Sequence, residues 1–262
     1  MKKLIRDFVT DHFGPHARIV YACEAGSTAK GYATATSDHD LRVIVLRPNA
    51  DYLRINRLPE QFETAHYKDD VDICAYDMTK ALRLISKSNP NVREWLLTSV
   101  SAPECVHIDN TLFTDYLNQA MSHYLSLNTL AHHYKGMAMQ SWSRWFSENH
   151  PMLSKGALQV THSALSVMWL VDNHAEPPLN IFELAKNPKL DQDYLSMISD
   201  LMHLRELEQN DMAPDILKSL YRSVQALDIN EHLPKKEPMT TDEIERIFYK
   251  MLRHNLSLSV LR

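Results

Sequence analysis

The chain has 262 residues, 44% of them hydrophobic, and a formal charge of −5 from 28 Lys and Arg against 33 Asp and Glu. That is apolar material for one large domain or two modest ones, and the charge argues against a protein whose whole surface coats nucleic acid, leaving room for a local basic groove. No apolar run approaches the roughly eighteen residues of a membrane span, and MKKLIRDFVTDHF is interrupted at Arg6 and Asp7 before a signal-length apolar region forms, so the expectation is a cytoplasmic protein without membrane contact.

Short β-type runs dominate the first part of the chain. Residues 18–23 (RIVYAC), 41–46 (LRVIVL) and 71–76 (VDICAY) are apolar and β-branched between polar or Gly/Pro punctuation, and read as strands. Residues 61–67 form a weaker candidate, paired with the third strand by a hairpin through 68–70. Asp77 then caps a helix with apolar Ala81, Leu82, Leu84 and Ile85, ended by Asn89-Pro90, and a short helix over 91–97 follows. From about residue 111 the pattern is helical: 111–125, 128–148, 154–173, 180–185, 191–208, 213–227 and 240–255. The order predicts an α+β protein, with a small mixed sheet over 1–110 and an all-helical domain over 111–262. Cys23, Cys74 and Cys105, odd in number and set in apolar surroundings, read as buried small hydrophobes in a reducing compartment.

Only five residues are glycine, and Gly26 and Gly31 cluster between the first two strands, marking a place where the backbone needs conformational freedom. Gly26-Ser27 stands at the mouth of a short helix, a place where backbone N–H groups and a small hydroxyl can meet a phosphate. Asp38 and Asp40 open the second strand, and the period of two puts both carboxylates on one face. Hard oxygen donors so placed suit Mg2+. Two metals for in-line phosphoryl transfer call for a third carboxylate on a neighbouring strand. Asp72 fits best, because a charge between Val71 and Ile73 is expensive without a cation. Asp70, on the same face but nearer the turn, competes with it.

These residues carry a resemblance. Gly26-Ser27, Asp38-x-Asp40 and a later strand carboxylate look like the signature of the polymerase-β nucleotidyltransferase superfamily. The longer strings GSTAKGYATATSDHDLR and DVDICAYDMTKALRLISKSNPNVREWL are similar to the RNA-ligase-associated polymerase-β-type proteins (RlaP), a branch with Gly-Ser-x-Ala-x-Gly, Ser-Asp-x-Asp-x-Arg and Asn-Pro-x-x-x-Glu, the last matched by Asn89, Pro90 and Glu94. Looser similarity runs through HHYKGMA, Lys155 and WLVDNHAEPPLNIFELAK.

The resemblance implies an enzyme that moves a nucleoside monophosphate from a nucleoside triphosphate to an acceptor hydroxyl, an RNA 3′ end in the branch resembled, with release of pyrophosphate. Asp38 and Asp40 would hold two Mg2+ ions, with Mn2+ as a substitute, and Asp72 would join them on the catalytic ion. Gly26 and Ser27 would contact the triphosphate and Lys155 a phosphate, while the helical domain would close the cleft. Arg42, on the same strand face as Asp40, pairs with a phosphate or with the carboxylates themselves. Alternatives are transfer to a protein hydroxyl and an inert nucleotide-binding module, the latter disfavoured by three acids near one strand edge.

Residues 132–145 mix His132, His133, Lys135 and Arg144 with Trp142 and Trp145 on one predicted helix. The aromatic residues either stack on a nucleic-acid base or face the core with Met137 and Met139. His39, between the two aspartates, faces away from them in a strand.

Overall fold

A computed structural model of the chain describes residues 1–65, 67, 71–146, 154–190, 193–209, 214–236 and 240–260. In chain order the elements are α1 (Lys2–Phe13), β1 (Arg18–Glu24), the one-turn α2 (Gly26–Ala29), β2 (His39–Leu46), α3 (Asn49–Tyr52), β3 (Gln61–Thr64), β4 (Val71–Asp77), α4 (Met78–Ser86), α5 (Pro90–Ser101) and β5 (Val106–Asp109). Helices follow: α6 (Thr111–Tyr124), α7 (Leu127–Trp145), α8 (Ser154–Asn173), α9 (Ile181–Leu184), α10 (Tyr194–Glu206), α11 (Asp215–Ala226), α12 (Ile229–His232) and α13 (Asp242–Val260). The protein is α+β, as its patterning predicts.

The chain forms two compact units. Met1–Thr28, Asp38–Leu125 and Pro238–Arg262 make the first, and Ala29–Ser37 with Ser126–Glu237 the second. This departs from the expected division at 110/111, because α6 and α13 belong with the sheet. Phe113, Leu117, Ala120 and Met121 of α6, and Ile244, Ile247 and Met251 of α13, share one core with Val20, Cys23, Ile44, Leu46, Cys74 and Tyr76. Helical periodicity reveals that a helix has an apolar face, not which core receives it.

In the first unit the strand order is β3-β4-β2-β1-β5, with β2 parallel to β4 and every other pair antiparallel. One sheet face packs on α4, α5, α6 and α13; the other, with Ala22, Leu41, Val43, Val45, Val71, Ile73 and Ala75, packs on Ile5, Phe8, Val9 and Phe13 of α1. Burial on both faces is why the strands read as nearly unbroken apolar runs. The hairpin tip at 68–70, with Asp70, lies outside the described residues, as do the expected helix starts at 191 and 213. Asp77 caps α4, accepting from Thr79 N at 2.9 Å, and Asn89 caps α5 with Pro90 in its first turn.

The second unit is built on α8, which buries residues around most of its circumference against α7, α9, α10 and α11. Segment 29–37 is bound into this unit: Ile181 N donates to Lys30 O (3.0 Å), and the buried Arg205 guanidinium donates to Tyr32 O (2.7 Å) and Ser37 Oγ (2.9 Å). Among the described residues no helix is long and apolar enough to cross a membrane.

Candidate active site

The sheet brings three of the expected residues, Asp40, Arg42 and Asp72, to one edge of one face. The parallel register of β2 and β4 sets Asp40 beside Asp72 and Arg42 beside Cys74. In-register residues of parallel strands project to the same side, here the side of Ile44 and Tyr76. Both aspartates are half-buried at the strand starts, where the core gives way to solvent. Asp38 precedes the first residue of β2 and is exposed, so the strand period that aligns Asp40 with Arg42 does not extend to it.

Gly26 abuts Asp40. Its φ is +61°, and a Cβ built there would collide with Asp40 Oδ2 and lie 2.8 Å from the carboxylate carbon. The turn is held in place by Ala25 N, which donates to Asp40 O at 2.8 Å. Only a residue without a side chain lets the turn close over the carboxylate. Ser27, next in the turn, is nearly buried. A helix of four residues has no useful macrodipole, so what this turn could offer an anion is its backbone N–H groups and the Ser27 hydroxyl.

Gly31 plays a different part from the one its position suggests. At φ +79° it packs against Asn180, whose Cγ would lie 3.0 Å from an added Cβ, so its close approach is to a side chain of the second unit.

Arg42 sits among the acids. Its Nη2 donates to Asp40 Oδ1 at 2.7 Å, and its Nη1 to Leu41 O (3.0 Å) and Asp72 O (3.4 Å). Burial pushes the neighbouring thiols up, Cys23 to about 12 and Cys74 to about 11, partly offset by the Arg42 charge. Neither is a thiolate near neutral pH, and all three cysteines are buried and free.

Among the described residues no three His, Cys, Asp or Glu side chains converge closely enough to hold a metal ion as they stand. The donor set nonetheless fits a hard divalent cation: two in-register carboxylates face the same side, and a positive group already rests against one of them.

Sequence reasoning missed Glu24. On the opposite sheet face, its Oε1 lies 2.7 Å from His39 Nδ1 and 3.2 Å from Thr28 Oγ1, and its Oε2 4.0 Å from His107 Nε2. His39 does face away from the aspartates, and its bond to Glu24 ties the start of β2 to the end of β1. The signal available was an acid closing an apolar strand two residues before Gly26. Burial lowers the His107 pKa, against the opposing pull of Glu24.

The remaining expected residues lie in the second unit. Lys155 is exposed in the first turn of α8. Trp142 is stacked on both sides, by Phe146 at 4.1 Å and Tyr221 at 4.0 Å, so neither face is open to a base. Trp145 lies over Gly156 and donates to Gln159 Oε1 at 3.1 Å. Lys135 donates to the Gln225 and Leu227 carbonyls at the end of α11, a structural role for a basic side chain at a helix C-terminus. The aromatic residues of α7 are thus packing residues, with Met137 and Met139 half-buried beside them.

Residues 2–250 match the model of a family described as "RNA repair pathway DNA polymerase beta family", which makes the chain a nucleotidyltransferase of the polymerase-β type. It belongs to that family, RlaP. The uncharacterized protein YcgL of Bacillus subtilis (strain 168) is 25% identical over 195 residues, 73% of this chain and 72% of YcgL. A solved nucleotidyltransferase-like protein from Exiguobacterium sibiricum 255-15 aligns with 85% of this chain and 75% of its own, at 12% identity and a TM-score of 0.31.

Proposed function

We propose that the protein transfers a nucleoside monophosphate from a nucleoside triphosphate to an acceptor hydroxyl, the 3′ end of an RNA. The observation that carries this reading is Asp40 set in register beside Asp72, with the Gly26-Ser27 turn closed over the Asp40 carboxylate. The family's description, which names RNA repair, supports RNA as the acceptor.

In this reading the acceptor oxygen attacks the α-phosphorus, the bond to the bridging oxygen of the β-phosphate breaks, and pyrophosphate leaves. Asp38, Asp40 and Asp72 would hold two Mg2+ ions, which would supply positive charge to neutralise the attacking and departing oxygens. Asp72 is also the residue nearest the role of receiving the acceptor proton. The Gly26 and Ser27 backbone N–H groups and the Ser27 hydroxyl bind the triphosphate and orient it for in-line displacement. Three buried free cysteines suit the reducing cytoplasm.

The test is incubation with labelled nucleoside triphosphates and Mg2+, with total RNA in one arm and cell lysate in the other. RNA labelling is expected, and D38A/D40A should reduce it to below ~1% of wild type. Labelling of protein alone would instead make the chain a protein-nucleotidylating enzyme, and labelling by D38A/D40A at the wild-type level would overturn the assigned site. Loss in D72A supports the third carboxylate as assigned, whereas retention moves that role to Asp70.

A further inference from the structure

We propose that Arg42 is an internal cation that Asp40 exchanges for a divalent ion, its guanidinium passing from the carboxylate to an anionic oxygen of the bound nucleotide; this rests on the function proposed above. The two Asp40 oxygens have different neighbours. Oδ2 lies against Gly26, while Oδ1 accepts from Arg42 Nη2 at 2.7 Å. Divalent ions held by Asp40 would draw on its carboxylate oxygens, so Arg42 holds an atom they would use. Its other amino group donates to the Asp72 backbone carbonyl at 3.4 Å, which holds the guanidinium against the neighbouring strand.

The pair is built to exchange. The Arg42 and Asp40 side chains are 22% and 26% exposed, whereas the Arg47–Asp77 pair in the same unit is 6% and 3% exposed. A partly solvated pair is weak and reversible, and a buried one is costly to open. Electrostatics sets the direction of the exchange. Without metal the clustered carboxylates repel one another and attract a guanidinium. With divalent ions in place the guanidinium is repelled, and a triphosphate oxygen beside it offers the planar, charge-matched acceptor that arginine favours. Arg42 thus keeps the empty site neutralised and reports metal loading to the nucleotide.

Mn2+ titration of the full chain without nucleotide tests this. R42Q should bind Mn2+ about two- to fivefold more tightly than wild type, the worth of a partly exposed ion pair. With Mn2+ present, R42Q should bind a non-hydrolysable nucleoside triphosphate analogue at least about tenfold more weakly, from the loss of a charge-assisted hydrogen bond. Equal or weaker Mn2+ binding by R42Q, with binding abolished in D40A, overturns the exchange and leaves the metal site standing. Equal Mn2+ binding by wild type and D40A overturns the metal site and the exchange together. If R42Q does not fold, the Arg42 Nε NMR signal of wild type, identified by its absence in R42K, replaces it. The signal should shift on addition of Mg2+ with the analogue, and a signal that stays in place overturns the proposal.

Discussion

At the scale of single residues, the contact between Gly26 and Asp40 makes the sharpest demand on the sequence. Both the left-handed φ of Gly26 and the carboxylate against it exclude a side chain, whereas Gly14 also has a positive φ, +91°, with nothing within 4 Å of an added Cβ. The two positions therefore separate backbone strain from site geometry. G14A should cost about 1–2 kcal/mol of stability and leave nucleotidyl transfer intact. G26A should carry a similar backbone cost and also push the Asp40 carboxylate aside, lowering transfer by ~10²-fold. Thermal melts beside the labelling assay check both, and an active G26A protein would mean that the carboxylate position does not matter.

At the scale of elements, the junction of β4 and α4 holds the strand that carries Asp72. Asp77 closes β4 and caps α4, with Oδ1 accepting from Thr79 and Oδ2 from the Tyr52 hydroxyl (2.9 Å), while Arg47 Nε lies 3.5 Å away. Burial raises the Asp77 pKa despite these partners. D77A removes the cap, worth ~1 kcal/mol, and leaves Arg47 buried without its counter-ion. The expected total is about 3–5 kcal/mol, measurable as a lowered midpoint in urea denaturation. By contrast, R83A should cost under ~1 kcal/mol, because its bidentate pair with Glu60 is largely solvent-exposed.

At the scale of the whole molecule, the first unit is assembled from chain segments far apart in sequence. Ile244, Ile247 and Met251 return from the C-terminal region to the core beneath the sheet, Tyr124 Oη accepts from Ile244 N at 3.0 Å, and Asn255 donates to Arg47 O at 3.1 Å. Three buried apolar side chains are worth about 1.5–3 kcal/mol each, together comparable with the ~5–15 kcal/mol that stabilises a typical domain. A chain ending at residue 239 should therefore lose cooperative unfolding and aggregate, as seen by circular dichroism and size exclusion. A truncated chain that melts like wild type would show that α13 is dispensable. The segment 29–37 makes the opposite crossing: it links Ser27 to Asp38 along the chain, yet Asn180 and Arg205 hold it in the helical unit.

Patterning along the chain was sufficient for the strands β1, β2 and β4, the Asp77 cap and the pairing of β3 with β4, because burial on both faces and helix capping leave local signatures. The alternation of side chains along an apolar strand also put Asp40 and Arg42 on one face and singled out Asp72 in the next strand, and the register of β2 and β4 sets Asp40 beside Asp72. Patterning did not reveal α1, whose Ile5, Phe8, Val9 and Phe13 are interspersed with charges, nor the four-residue edge strand β5. Nor did it reveal the core that α6 and α13 join, the partner of Gly31, or the Glu24–His39 bond. Each of these depends on which surfaces meet after the chain has folded. The choice of Arg42's partner belongs with them: strand periodicity put the guanidinium on the face of Asp40, and only the three-dimensional arrangement, with Gly26 closed over Oδ2, left Oδ1 for it to hold.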